Sequence, residues 1–226
     1  MNKNLKIAAI TIGQSPRPDI MKDVRPILPD YMELVEYGAR DDMTYEQIMD
    51  QFSPSADDEI LVSRMRDGRQ AKFTERFVTP YVQKKITQAE EEGASAIILF
   101  CTGVFPEFEH NVLFFEPQPI FHSTAANIAG KKKIGVLIPE PDQVAQAYHF
   151  WGERGVNIVA TSASPYKEFE KIVEAAEFFK NKDVDFICTD CMGYTMEMKH
   201  KIQEVTGKPV LLPRTLVAQI LCEMFA

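Results

Sequence analysis

Ile97-Ile98-Leu99-Phe100-Cys101-Thr102-Gly103 and Asp185-Phe186-Ile187-Cys188-Thr189-Asp190-Cys191-Met192-Gly193 share one order: an apolar run, a cysteine, a glycine two residues on, then a helix. A short apolar run closed by a glycine turn fits a strand of a parallel sheet buried on both faces. In such sheets ligands bind at the carboxyl ends of the strands. The two stretches lie about one flavodoxin-like half-unit apart. This predicts two similar lobes facing each other, each contributing one strand-end cysteine.

Working outward, short apolar runs alternate with helix-period segments. Strands are predicted at 6–12, 31–37, 59–65, 94–100, 119–121, 133–138, 156–161, 184–188 and 210–211, and helices at 75–92, 142–154, 166–182, 194–206 and 214–225. Strand then helix, repeated, predicts an α/β fold with parallel sheets covered on both faces. One segment breaks the alternation. Residues 60–66, then Asp67-Gly68, then 69–74 read as a β-hairpin insertion, because Asp-Gly suits a tight type I′ turn. The expected organisation is two pseudo-symmetric flavodoxin-like lobes, 1–122 and 123–211, with 212–226 returning to the first.

The chain has 226 residues, 45% of them hydrophobic, enough for one large or two small domains. A net charge of -8 and only short basic clusters, such as Lys131-Lys132-Lys133, disfavour nucleic-acid binding. No apolar run approaches the roughly 20 residues that span a bilayer, and 1–18 passes from a short polar lead into a strand without a signal-peptide pattern. A cytoplasmic location, reduced thiols and no membrane partner are expected. Homo-oligomerisation is left open.

Cys101 and Cys191 are the candidate catalytic pair. A strand-end turn leading to a helix N-terminus offers unpaired N–H groups and positive potential. That environment is expected to lower a thiol pKa toward neutrality and to attract a carboxylate. Two such thiols across a cleft fit an acid and a base on opposite faces of a carbon acid. Thr102 could hold the carboxylate, Gly13-Gln14-Ser15 could donate from the other side, and Arg17 could contact an anion. Cysteine is also among the most buried residue types, so core packing is the competing reading, and the favoured one for Cys188 and Cys222. Cys188-x-x-Cys191 could be half a zinc site, but no second pair accompanies it, so no metal is expected. A redox dithiol needs its first cysteine at a helix start. His110 could enter the cleft, whereas His149 and His200 sit in helix-like segments. No GxGxxG or GxxxxGK stretch supports nucleotide binding, and no cofactor is expected.

Ile10-Thr11-Ile12-Gly13-Gln14-Ser15-Pro16-Arg17-Pro18-Asp19, Leu61-Val62-Ser63-Arg64-Met65-Arg66-Asp67-Gly68, Phe100-Cys101-Thr102-Gly103-Val104-Phe105-Pro106 and Asp190-Cys191-Met192-Gly193-Tyr194 together resemble the AroM family over essentially the whole chain. More distantly the chain is similar to the aspartate/glutamate racemase superfamily. That resemblance implies two α/β lobes and cofactor-free chemistry, with Cys101 and Cys191 at the two thiol positions. It also implies that Thr102 and Gly103, the 13–15 loop, Pro139 and its loop to Asp142, and Gly193-Tyr194 wall the pocket. The sequence departs from the racemase pattern. Cys101 is followed by Thr102-Gly103 rather than Asn-Thr, and Cys191 by Met192 rather than Thr. Gly13-Gln14 and Gly193 stand where glutamate racemases carry an acid and a histidine. Asp190 and Glu107 could substitute, although a neighbouring carboxylate raises a thiol pKa. The expected function is a racemase or isomerase acting on a small carboxylate. The alternatives are a non-catalytic anion-binding or regulatory protein on the same scaffold, and a decarboxylase or hydrolase using the same cleft.

Overall fold

The computed structural model describes residues 4–52 and 58–225, and the side chains of all of these except Phe52. Its framework is two four-stranded parallel sheets. The first contains β1 (Leu5–Thr11), β2 (Met32–Gly38), β5 (Ala96–Leu99) and β6 (Leu113–Phe115) in the order β2-β1-β5-β6. The second contains β7 (Lys133–Ile138), β8 (Asn157–Ser162), β9 (Ile187–Thr189) and β10 (Val210–Leu211) in the order β8-β7-β9-β10. Each order reads second, first, third, fourth along its half of the chain. The two halves are therefore topological repeats, each with a switch point where its first and third strands lie side by side.

Helices cover both faces. They are α1 (Pro18–Val24), α2 (Tyr45–Phe52), α3 (Glu75–Glu91), α4 (Pro117–Ala129), α5 (Val144–Glu153), α6 (Phe169–Lys180), α7 (Met196–Thr206) and α8 (Pro213–Phe225). Side chains of a strand alternate between faces, and the core obeys that rule. Ile7 and Ala9 of β1, with Ala96 and Ile98 of β5, pack with Val217, Ala218 and Leu221 of α8. Ala8 and Ile10, with Ile97 and Leu99, pack with Val78, Val82 and Ile86 of α3. Cys101 continues the second of these rows and is packed in the same cluster.

The antiparallel pair β3 (Ile60–Arg64) and β4 (Gln70–Thr74) forms a sheet of its own, with Leu61 opposite Phe73. Its connection differs from the tight two-residue turn expected. Gly68 N–H donates to Met65 O (2.9 Å) and Met65 N–H to Arg69 O (2.7 Å), leaving a three-residue loop. Among the described residues no non-glycine residue has positive φ, so Asp67 does not adopt the conformation a type I′ turn demands there; Gly68 alone does, at φ 92°.

The run 119–121 is helical, not a strand. Pro117 opens α4 at a position where a missing N–H costs nothing. Phe121, Ala125 and Ala129 then pack on Ile134 and Val136 of β7. The edge strand β6 lies just before it. No helix among the described residues is long and apolar enough to cross a membrane.

Candidate active site

Both switch points open onto one cavity of about 70 Å³. Cys101 and Thr102-Gly103 enter from the end of β5, Cys191 and Asp190 from the end of β9, and Ile138-Pro139 from the end of β7. Ile60, Leu61 and Val62 of the hairpin lie over it, and His122 of α4 and Trp151 of α5 complete its wall. The volume suits a ligand of a few heavy atoms, since one water needs roughly 10–15 Å³ on the same measure.

The two thiols are held alike. Gly103 N–H donates to Cys101 Sγ at 3.3 Å, and Gly193 N–H donates to Cys191 Sγ at 3.3 Å. Each glycine also lets a cover approach. A Cβ on Gly103 would lie 2.4 Å from Leu61 Cδ2, and one on Gly193 would lie 2.3 Å from Tyr166 Oη. The two thiol loops lead into different elements. Residues 102–112 reach β6 without a helix, whereas Thr195 caps α7 by accepting from Met198 N–H (3.2 Å). The helix N-terminus expected beyond both cysteines is thus present only beyond Cys191.

Electrostatics separate the sulfurs further. Burial pushes the Cys101 thiol up to about 12, the Gly103 N–H opposing it. Burial also raises Cys191, but there the Gly193 N–H, the Tyr166 hydroxyl at 3.8 Å and the Arg17 charge all favour the thiolate. The expectation of depressed thiol pKa values is corrected: desolvation of these buried cysteines, 8–9% exposed as residues, outweighs the N–H groups that face their sulfurs.

Arg17 is 2% exposed, and all five of its side-chain N–H groups are used. They donate to Asp19 Oδ1 and Oδ2 (2.9 and 2.8 Å), Thr11 Oγ1 (3.2 Å), Ser63 Oγ (3.1 Å) and Tyr166 Oη (3.3 Å). It therefore holds Tyr166 against Cys191 instead of offering a free fork to an anion. Gln14 and Ser15 are likewise engaged within the protein. Gln14 Oε1 accepts from Arg66 N–H (3.0 Å), and Ser15 donates to Asp41 through both its N–H and its hydroxyl (2.7 Å each). Gly13 packs on Ser63 and Met65 of the hairpin segment. Of the residues considered for ligand contact, Thr102, Gly103 and Pro139 line the cavity with the cysteines, whereas Gly13, Gln14, Ser15, Arg17, Gly193 and Tyr194 do not. Tyr194 is buried and donates to Ala163 O (2.8 Å). Cys188 packs on the opposite face of β9 with Trp151, and Cys222 is half-buried on α8. No group of three metal-ligating side chains occurs among the described residues.

His110 and Glu107 lie at the surface, away from the cavity. The histidine that reaches it is His122. Its Nε2 lies 2.7 Å from Asp190 Oδ2, which also accepts from Trp151 Nε1–H at 3.0 Å. The His122 and Trp151 rings stack with centroids 4.0 Å apart. His122 precedes Asp190 by 68 positions, so no local spacing ties them. The only sequence signal for this cluster is Asp190 standing beside Cys191.

Two repeated parallel lobes meeting at a shared cavity define the racemase-like α/β fold. Solved structures agree. Allantoin racemase from Pseudomonas fluorescens superposes with a TM-score of 0.67 at 17% identity, covering 97% of this chain and 90% of that one. Aspartate racemase from Picrophilus torridus gives 0.63 at 16%, covering 97% and 94%. The maleate isomerase Iso from Pseudomonas putida S16 gives 0.64 at 8%, covering 97% and 92%. Comparison with curated protein sequences finds no match. The sequence pattern of the family described as AroM protein matches residues 7–225, and the chain belongs to the AroM family.

Proposed function

We propose that the protein is a cofactor-independent racemase or isomerase of a small carboxylate, with Cys191 as thiolate base and Cys101 as thiol acid. The observation that carries this reading is that two thiols from equivalent strand ends line one cavity, each facing an N–H two residues on. The Cys191 thiolate takes the proton from the substrate's acidic carbon, and its electron pair becomes a carbanion delocalised into the carboxyl group. Cys101 S–H then gives its proton to the other face, leaving a thiolate on Cys101 and a thiol on Cys191. The reverse reaction exchanges the roles. Thr102 is the neutral donor for the carboxylate. Four free cysteines suit a reducing, cytoplasmic setting.

The test is incubation in D2O with small 2-substituted and unsaturated acids. Deuterium should enter at the acidic carbon of at least one of them, and Cys101→Ser and Cys191→Ser should each lower exchange by about a hundredfold or more. Mass detection in the same samples reports decarboxylation or hydrolysis. The high Cys101 pKa favours a second reading, a non-catalytic binder on the same scaffold. No exchange across the panel, with slow alkylation of both thiols, would decide for it.

A further inference from the structure

A second cavity, of about 300 Å³, shares no lining residue with the one between the thiols. It opens where α1, α7 and α8 meet. Residues three or four apart share a face of a helix, and that spacing turns the lining toward one space. Met196 and Lys199 come from α7, Leu216 and Gln219 from α8, and Asp23 and Ile27 from α1 and the 3₁₀ turn after it (Arg25–Ile27). The apolar part of this wall is drawn from three separate cores. Ile27 packs on the cluster that α8 makes with the first sheet, Met196 on the cluster under α6 and α7, and Leu216, with Leu211 of β10, on the one around Trp151. The cavity is the seam these clusters leave between them.

Its charges are unequal. Asp23 is already neutralised: Oδ2 accepts from Arg214 Nη1 (2.8 Å) and from Met196 N–H (3.0 Å). Lys199 is the other charged residue of the lining. It is half-buried, and its ammonium has no hydrogen bond or ion pair among the described residues. Burial holds its pKa below the ordinary lysine value, with no carboxylate opposing the shift. A cation that gives up water without gaining a partner is unfavourable, and one negative charge would relieve it. The surroundings of that charge are apolar, so its carrier needs an apolar body. The volume lies at the lower end of the range for small-molecule sites, roughly 300–1,000 Å³.

We propose that this seam is a second ligand site, taking a compact apolar monocarboxylate whose head pairs with Lys199 and whose body packs against Ile27, Met196, Leu211 and Leu216. The site has a route to the thiols. Asp23 and Met196 belong to a knot centred on Arg214, whose Nε donates to Met192 O (2.9 Å) beside Cys191. A ligand that bridges Ile27 and Lys199 clamps α1 to α7 across this knot, and so steadies the Cys191 loop. Binding needs the seam alone, whatever reaction the thiols perform.

Cyclohexanecarboxylate is the probe, titrated by calorimetry. Cyclohexanecarboxamide lacks the charge, cyclohexylamine carries the wrong sign, and sulfate lacks the apolar body. The acid should bind about ten- to a hundredfold more tightly than the amide, the range expected for one charge-assisted hydrogen bond, and neither the amine nor sulfate should displace it. Lys199→Met keeps the apolar stem and should lose that margin, whereas Lys199→Arg should keep most of it. Lys199 touches the second cavity and not the first, so these variants separate seam binding from binding between the thiols. Hydrogen exchange at Met196 and Gly193 should slow when the acid binds to wild type, and should not respond to it in Lys199→Met. The proposal is overturned if acid and amide bind alike, if Lys199→Met binds the acid as wild type does, if exchange at Met196 and Gly193 does not slow, or if the acid fails to bind at about 10 mM. The comparison of acid with amide uses the wild-type protein, so it decides even where a variant does not fold. Deuterium exchange into a substrate, or its absence, leaves each of these outcomes as it stands.

Discussion

Cys191 and Cys101 make the same backbone contact and differ in their side-chain neighbours. Only Cys191 has a hydroxyl, Tyr166, beside it and a guanidinium behind that. Tyr166→Phe removes a donor to the thiolate, worth about one pKa unit when a hydrogen bond to a charged group is lost. The pH profile of alkylation should move up by about that amount for Cys191 and stay put for Cys101. An unchanged Cys191 profile would remove Tyr166 from the account. Cys101 yields a stability prediction. Its folded pKa of about 12 lies above the unfolded value, so folding favours the neutral thiol. That contribution is complete below about pH 8.5 and is lost as the pH climbs toward 12, by up to about 1.4 kcal/mol per unit. Denaturant titrations from pH 8 to 10.5 should show a shallower loss for Cys101→Ser than for the wild type. The cysteines themselves were legible in the sequence, because each ends an apolar run and precedes a glycine. Tyr166, His122 and Trp151 were not, because they come from other elements, 25 to 149 positions from the groups they bond.

The hairpin β3–β4 is the element that covers the cavity, and the second lobe holds it there. Ile60 pairs with Gln143 and Gln146 through its O and N–H (2.9 and 3.0 Å). Glu140, 5% exposed, accepts from Gln70 (2.9 Å), Lys72 (3.0 Å) and Lys167 (2.8 Å). Burial alone would raise the Glu140 pKa, but Lys167, Gln70 and Lys72 together bring it below the ordinary value. A depressed carboxyl pKa stabilises above the unfolded value, about 4.3, and that stabilisation is lost as the pH falls through the folded value. Glu140→Gln should therefore loosen the cover at neutral pH, and wild type should loosen only in acid. Alkylation of Cys101 at pH 8 should rise by about tenfold in Glu140→Gln, a latch contribution of about 1.4 kcal/mol. Equal rates in the two proteins would mean that the hairpin stays closed without Glu140. The hairpin was readable from Asp67-Gly68, but its loop length depended on which residue takes positive φ. The misread run 119–121 has a similar cause. Three apolar residues fit a strand or a helix equally well, and Pro117 decides for the helix only through its place at the first turn.

At the scale of the molecule, the repeated strand order explains why sequence alternation revealed the lobes. What alternation could not give is how the last helix joins them. Arg214 of α8 is fully buried. Its Nη1 donates to Asp19 O (2.6 Å) and Asp23 Oδ2 (2.8 Å) of α1, and its Nε donates to Met192 O (2.9 Å) in the Cys191 loop. Asp23 in turn accepts from Met196 N–H (3.0 Å) at the start of α7. One side chain thus ties a helix packed on the first sheet to the thiol loop of the second. Replacing it strands a mostly buried carboxylate and leaves the Met192 carbonyl without these donors, a change that costs about 3–5 kcal/mol where one partner of a buried pair is removed. Arg214→Met keeps much of the apolar volume, so its loss should reflect the missing bonds instead of a cavity. Denaturant unfolding should give a stability lower by about 3 kcal/mol or more, and hydrogen exchange should quicken at Gly193 and Met196 before it does at Gly103. A double substitution with Asp23→Asn separates the pair from its parts. If the charge left on Asp23 causes the loss, the double variant should recover about half of it. If the bonds to Met192 dominate, the double variant recovers nothing, and the exchange at Gly193 stays fast in both proteins.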